Sequence, residues 1–279
     1  MLSGGSDSIA LLSCLSKLDL NFYTIHFNHG VFNNSIKLSQ FCKNASKNLN
    51  SQHHFNINIK NLNKKNIESI GREKRYTISK KIIQRLNINF ILSAHHLDDQ
   101  IETLIMRQVE CNNWVSSLGI QESYGHIFRP FITVKKSSII HYLKKNNLIW
   151  LEDESNNDNS YLRNEIRNVK IPDIYKKSPQ LINRIIKSNK IAKDKFEKIK
   201  LEISSGIIKF IKTEYGLKIH TLNLKDYSYI ELKFIIQLMI KSFKKEFQTS
   251  KSNWETIIKY LDFCGQRISP FIMNDTFSI

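Results

Sequence analysis

Three short β-prone runs, each followed by a stretch with helical spacing, constrain the first half of this chain more than any other feature. The runs are 22–27 (Phe22-Tyr23-Thr24-Ile25-His26-Phe27), the alternating segment 54–59, and Asn89-Phe90-Ile91-Leu92, the most apolar of the three. Helices are expected after them over 36–49, 67–86 and 98–107; in the second, Ile67, Ile70, Ile78, Ile82 and Ile83 mark the apolar side. A further helix precedes them, since Ile9, Leu12, Leu15 and Leu18 share one face. Strands that alternate with helices predict an α/β fold: a parallel twisted sheet with helices on both faces, Rossmann-like in layering. Ligands of such folds sit beyond the carboxyl ends of the strands.

The pattern changes after Pro172 and Pro179. From 180 to about 212 the period is helical with many lysines, and further helices are expected near 229–244 and 254–263. A boundary at residue 178 divides the chain into 1–178 and a smaller, basic, mainly helical domain, 179–279. Charge is also unevenly spread along the chain. Lys+Arg 42 against Asp+Glu 25 gives +17, of which 15 minus 9 (+6) falls in residues 1–130 and 27 minus 16 (+11) in the remainder. A polyanion such as nucleic acid is the partner this excess suits, although a chain rich in Lys, Asn and Ile throughout would also drift basic. With 41% hydrophobic and 24% charged residues, wholesale disorder is excluded. No apolar run approaches the roughly 20 residues of a membrane helix. Cys14, Cys42, Cys111 and Cys264 form no CxxC pair, and Asp7 precedes the apolar Ile9-Ala10-Leu11-Leu12 where a signal peptide would be basic. Reduced thiols in the cytoplasm are therefore expected.

Two segments carry chemistry. Ser3-Gly4-Gly5-Ser6-Asp7-Ser8 leads directly into a helix: the glycines allow tight turns, and Ser hydroxyls with free N–H groups at a helix N-terminus cradle an anion. It is neither the Walker A nor the GxGxxG pattern. A capped helix after a glycine turn explains it equally well if it stands alone. Ser93-Ala94-His95-His96-Leu97-Asp98-Asp99-Gln100-Ile101-Glu102-Thr103 closes the most apolar strand. Asp99 and Glu102 share a helix face, and with His95 they can hold Mg²⁺ and position an amine or a phosphate. The alternative is an acidic first turn that suits the helix dipole.

Residues 3–8 resemble the SGGxDS signature of the PP-loop ATP pyrophosphatases, which cleave ATP between its α and β phosphates. Phe27-Asn28-His29-Gly30, Glu68-Ser69-Ile70-Gly71-Arg72-Glu73-Lys74-Arg75-Tyr76, the His95–His96 stretch, Arg129-Pro130, Asp153-Glu154-Ser155-Asn156 and Tyr161-Leu162-Arg163-Asn164-Glu165-Ile166-Arg167 follow in an order similar to the tRNA(Ile)-lysidine synthetase family. The resemblance covers most of residues 1–172. It implies a two-step ligation on an isoleucine tRNA with a CAU anticodon. The C2 oxygen of the wobble cytidine attacks the α-phosphorus of ATP, releasing pyrophosphate, and the ε-amine of free L-lysine then displaces AMP. By motif, Ser3, Gly4, Gly5, Ser6, Asp7 and Ser8 would form the ATP phosphate loop, with Asp7 a Mg²⁺ ligand and Arg72 a further ATP contact. Asp7, His95, Asp99 and Glu102 would be the catalytic set, Asp99 and Glu102 meeting the lysine ammonium. Arg75, Arg163, Asn164 and Arg167 would meet the tRNA. Lys187, Lys190, Lys193, Lys195, Lys198 and Lys200 are candidate tRNA phosphate contacts from the helical part.

The chain departs from the family pattern in three places. Its Gly-rich basic loop is represented by Glu110-Cys111-Asn112-Asn113-Trp114-Val115-Ser116-Ser117-Leu118-Gly119-Ile120, where Glu110 replaces Arg and Cys111, Asn113 and Ser116 replace glycines. Phe32 stands where the family has Arg. The strand before the phosphate loop is reduced to Met1-Leu2, through either a start placed late or a shortened central strand. The family's last C-terminal domain is expected to be absent or only begun within 279 residues. Two other functions stay open: a different PP-loop tRNA-modifying enzyme such as a thiolase, for which only Cys111 lies near the site, and a non-catalytic tRNA-binding descendant. A monomer and an oligomer are equally compatible with the sequence, and no membrane association is expected.

Overall fold

The computed structural model describes residues 1–18, 20–28, 35–59, 67–110, 114–151, 162–208, 210–213, 216–219, 227–242, 272–274 and 277–278. The predicted features at His29, Gly30, Phe32, Cys111, 153–156, 254–263 and Cys264 lie outside them. The described chain forms two compact units. The first comprises Met1–Val109 with Gly119–Ile185, and the second Glu110–Leu118 with Ile186–Ile279.

In the first unit, α1 (Ser6–Ser16) is followed by β1 (Tyr23–Asn28), α2 (Ser35–Asn48), β2 (His53–Asn58), α3 (Ile67–Arg85), β3 (Ile91–Leu92) and α4 (Leu97–Glu110). β1 and β2 run parallel, from Tyr23 opposite His53 to Asn28 opposite Asn58. A second ladder joins β3 in parallel to β5 (Ile127–Phe128), whose other neighbour is the antiparallel β4 (Ser123–Tyr124). Met1 and Leu2 lie between the two ladders: the Leu2 N–H donates to Ile25 O (2.8 Å) and the Met1 amine to Leu92 O (2.8 Å). Burial strips the Met1 amine of water and lowers its pKa to about 6.

Both faces of β1 are covered, as the alternation along a parallel strand requires. Ile25 and Phe27 pack with Ile59 and with Ile78 and Ile82 of α3. The Thr24 hydroxyl, on the other face, is 2.6 Å from Ser46 Oγ of α2. Leu2, Ile9, Ala10, Leu12 and Cys42 form a further cluster with Ile139 and Leu143 of α5 (Lys136–Lys145). A third joins Ile101, Leu104 and Ile105 of α4 to Ile166, Ile182 and Ile185. The expected α/β class and parallel sheet are present. β3, however, is only two residues long, because Asn87 turns the chain with φ 53° and Phe90 is left exposed.

After α5 come α6 (Leu162–Glu165), a π-helical turn (Ile166–Lys170), α7 (Ile171–Lys177) and α8 (Pro179–Ser204). The units part within α8, between Ile185 and Ile186, rather than at residue 178. Ile182 and Ile185 belong to the third cluster, whereas Ala192 and Ile199 pack with Leu118, Ile208, Leu232, Phe234 and Ile235 of the second unit. That unit includes a 3-10 turn (Ser116–Leu118), α9 (Tyr229–Ser242) and a four-stranded sheet of β6 (Phe210–Thr213), β7 (Gly216–Ile219), β8 (Ile272–Asn274) and β9 (Phe277–Ser278), in the order β6-β7-β9-β8. Helical spacing toward Lys212 therefore misleads. α8 stops at Ser204, Gly206 takes φ 76°, a turn that favours glycine, and β6 pairs antiparallel with β7. Among the described residues no helix is long and apolar enough to cross a membrane.

Candidate active site

The phosphate-loop candidate is held by one hydroxyl. Ser8 Oγ accepts the N–H groups of Ser3 (3.2 Å) and Gly4 (3.1 Å) and donates to Gly5 O (3.0 Å), folding 3–5 back over the first turn of α1. Gly4 requires glycine: its φ is +88°, and a Cβ there would stand 2.6 Å from Leu38 Cδ1 and 3.2 Å from Cys42 Sγ. Gly5 is the N-cap residue and no side chain caps α1. The helix thus presents backbone donors and the positive end of its dipole beside Ser6 and Asp7.

Asp7 faces residues brought by two other elements. Lys136, the first residue of α5, donates its Nζ to Ser6 Oγ (2.6 Å) and Asp7 Oδ1 (2.6 Å), and its backbone N–H to Asp98 Oδ2 (2.8 Å). His96, 5% exposed, lies among three carboxylates. Its Nε2 is 3.6 Å from Asp7 Oδ2 and 3.4 Å from Asp99 Oδ2, and its Nδ1 is 3.7 Å from Asp98 Oδ2. Burial alone would lower the His96 pKa, but bonding to Asp7 and Asp98 and the charge of Asp99 outweigh it and raise it to about 9. Burial pushes the Asp7 carboxyl up, and His96 and Lys136 more than reverse this, holding it ionised.

Asp99 and Glu102 do share a face of α4, and both are already engaged by arginines. Arg163 gives its Nε to Glu102 Oε2 (2.9 Å) and an NH2 to Asp99 Oδ1 (3.0 Å). Arg167 gives its Nε to Glu102 Oε1 (2.6 Å) and NH2 to Glu102 Oε2 (3.0 Å). Glu102 is 1% exposed. Arg167 lies in the π-helical turn, an irregularity common where side chains must be re-aimed. His95 has its Nδ1 2.7 Å from Ser93 Oγ. Burial, helped by the charges of Arg129, Arg163 and Arg72 against Asp99, lowers its pKa to about 4, so it is neutral near pH 7.

The structure therefore brings together Ser6, Asp7, Asp99, Glu102, Arg163 and Arg167 of the predicted residues. Arg72 is exposed on α3, its guanidinium over the Tyr76 ring at 5.7 Å, and Arg75 follows on the same helix. Arg75 and Asn164 are half-buried and engaged in other contacts. Sequence reasoning missed His96, Asp98 and Lys136. His96 and Asp98 stand in the segment already singled out, where sequence gives no means of telling which of two adjacent imidazoles turns toward Asp7. Lys136 carries no local signal, since α5 alone delivers it.

In the altered loop, residues 114–120 are described, and one retained glycine is needed. Gly119 has φ +55°, a Cβ would lie 2.7 Å from Gln100 Oε1, and that oxygen accepts the Ile120 N–H at 2.5 Å. Arg107 NH1 donates to Gly119 O (2.9 Å).

Known proteins are similar to this chain in sequence. The tRNA(Ile)-lysidine synthase of Actinobacillus pleuropneumoniae is 35% identical over 177 residues, 61% of this chain and 41% of the relative. That of Staphylococcus aureus is 30% identical over 223 residues, 76% and 48%, and that of Rickettsia bellii 31% over 224 residues, 77% and 51%. The chain spans about half the length of these curated relatives or less. Among solved structures, the U34-tRNA thiolase NcsA of Methanococcus maripaludis superposes with TM-score 0.53 at 15% identity, covering 69% of this chain and 71% of that one, a likeness of fold. The family profile of the PP-loop domain matches residues 1–174, the span that carries the glycine loop, α4 and both arginines. The chain belongs to the PP-loop domain family.

Proposed function

We propose that this chain acts as a tRNA(Ile)-lysidine synthase, joining free L-lysine to C2 of the wobble cytidine of a CAU-anticodon isoleucine tRNA at the expense of ATP. The observation that carries this reading is the meeting of Asp7 and Lys136 at the glycine loop with the His96-Asp98-Asp99 cluster, within one unit whose relatives bear that name. The loop 3–8, the α1 N-terminus and Lys136 stabilise the charge of departing pyrophosphate. Asp7 supplies one hard carboxylate, and among the described residues no three or more His, Cys, Asp or Glu side chains are arranged so as to hold a metal ion by themselves. That donor set suits a Mg²⁺ shared with nucleotide phosphates rather than caged by protein. When bound, the ion neutralises phosphate charge.

Lysine must enter where guanidinium groups now stand. Asp99, whose Oδ1 takes one short bond from Arg163 with Arg167 farther off at 3.7 Å, and whose Oδ2 accepts the His96 N–H, is the carboxylate that accepts its ammonium, while Glu102 anchors Arg163 and Arg167. Neutral His95 has a lone pair that can accept a hydrogen bond from the incoming amine and orient it, while its lowered basicity leaves the proton that lysine gives up to pass to solvent or to a carboxylate. Arg72 contacts ATP, and Arg75, Arg163, Asn164 and Arg167 face the tRNA, with exposed Lys187 and Lys190 of α8 adding affinity without sequence specificity. Lys195, Lys198 and Lys200 are paired with Glu231, Glu202 and Glu197 and contribute less. Thiol chemistry is disfavoured at Cys42, beside the glycine loop, where burial pushes the thiol up to about 12. A cytoplasmic enzyme suits free Cys14 and Cys42.

Pyrophosphate release from Mg-ATP in the presence of tRNA tests the loop assignment. Asp7→Ala and Lys136→Met are each expected to slow release by roughly 100-fold or more. Release at the unaltered rate in both variants would remove the phosphate-loop roles.

A further inference from the structure

We propose that Arg129 is a phosphate-binding residue of this site, held buried and without a counter-ion until a phosphoryl oxygen arrives; the inference rests on the function proposed above. Arg129 directly follows β5, and β5 is the parallel neighbour of β3, with Phe128 opposite Leu92 and the Ser93 N–H donating to Phe128 O (3.0 Å). Arg129 and the Ser93-Ala94-His95 segment therefore leave adjacent strands side by side at their carboxyl ends, where an α/β sheet receives its ligand.

The side chain is built in rather than left over. Arg129 is only 4% exposed. Arginines so buried nearly always meet a carboxylate, yet none lies within ion-pair distance of this one among the described residues. One guanidinium nitrogen donates to Gln121 O (2.5 Å), and Nε is buried with no partner. The backbone does not depend on the guanidinium, since the Arg129 N–H already donates to Glu122 O (2.9 Å) and its carbonyl accepts from Ile132 (3.3 Å).

A neutral donor would satisfy Gln121 O without desolvating a full charge. A fork of donors is what a phosphate oxygen pair requires. The charges of Arg129, Arg163 and Arg72 all act against protonation of His95. The α-phosphate of ATP and a tRNA phosphodiester beside the wobble base offer the same chemistry.

The test uses the full chain with Arg129→Met, which keeps volume and removes charge, and Arg129→Gln, which keeps a donor for Gln121 O. Melting temperature is read without ligand, with a non-hydrolysable Mg-ATP analogue, and separately with unmodified CAU-anticodon tRNA. The expected result is an unchanged or higher melting temperature for the free Arg129→Met chain, with binding of the analogue weakened at least tenfold. Loss confined to the tRNA arm assigns the phosphate to the RNA and equally supports the proposal. Native binding of both probes by either variant, with or without a fall in melting temperature, overturns it and leaves Arg129 a structural tie of the Gln121 turn. The unaltered chain separates the two claims: if it binds neither probe, the proposed function fails, whereas native binding that survives the substitution sinks only the role of Arg129.

Discussion

Glu102 meets three short hydrogen bonds from two guanidinium groups while almost wholly out of water, and removing its charge leaves Arg163 and Arg167 with Asp99 as their remaining carboxylate. Glu102→Gln is expected to lower stability by about 3 kcal/mol in urea unfolding. A loss below about 0.5 kcal/mol would show that the arginines are held by other contacts. The pairing of Asp99 and Glu102 on one face was legible from their i, i+3 spacing. Their occupation by Arg163 and Arg167 was not, because those residues arrive more than sixty positions later in the chain. His96 escaped for a different reason. Adjacent residues at a strand end diverge, and only the tertiary position of Asp7 decides which imidazole is the hub.

At the scale of elements, α4 was legible from its one-sided apolar pattern, α2 and α3 as helix-compatible stretches that follow β-prone runs, and β1 and β2 because those runs are β-prone and bounded by turns. β6 was not legible, since the lysine- and isoleucine-rich spacing of α8 continues into it and only the Ser204-Ser205-Gly206 turn interrupts. Gly119 shows what a turn demands: Gly119→Ala must strain a positive φ and displace the Gln100 amide, and a loss of about 1–3 kcal/mol is expected from thermal unfolding. An unchanged melting temperature would contradict the stated geometry.

The paired strands also predict acid sensitivity. His54 of β2 is half-buried, its ring stacked at 6.5 Å on that of His26 of β1, and His53 and Lys43 add positive charge nearby. Burial first, then these positive neighbours, lower its pKa from 6.5 to about 4. The unfolded chain takes up the proton at the ordinary value, so this contribution is complete above pH 6.5 and is lost as pH falls toward 4. His54→Asn is expected to flatten the loss of stability over that interval, read as melting temperature against pH. An identical profile would exclude His54 as its source.

For the whole molecule, charge and motif order were the informative signals. The excess of +17 suits the polyanionic partner proposed above, and the ordered segments across 1–172 coincide with the matched PP-loop domain, 1–174. The division into units was less legible. The chain parts inside a continuous helix, where no composition change marks it, and the segment Glu110–Leu118 joins the second unit through the packing of Trp114 and Leu118 with Phe234. The proposed ligation is tested by incubation of the chain with Mg-ATP, labelled L-lysine and CAU-anticodon isoleucine tRNA, followed by nucleoside analysis. Label recovered on the wobble cytidine, with AMP and pyrophosphate released, is the predicted result. Full binding of that tRNA with no label transferred would contradict the account.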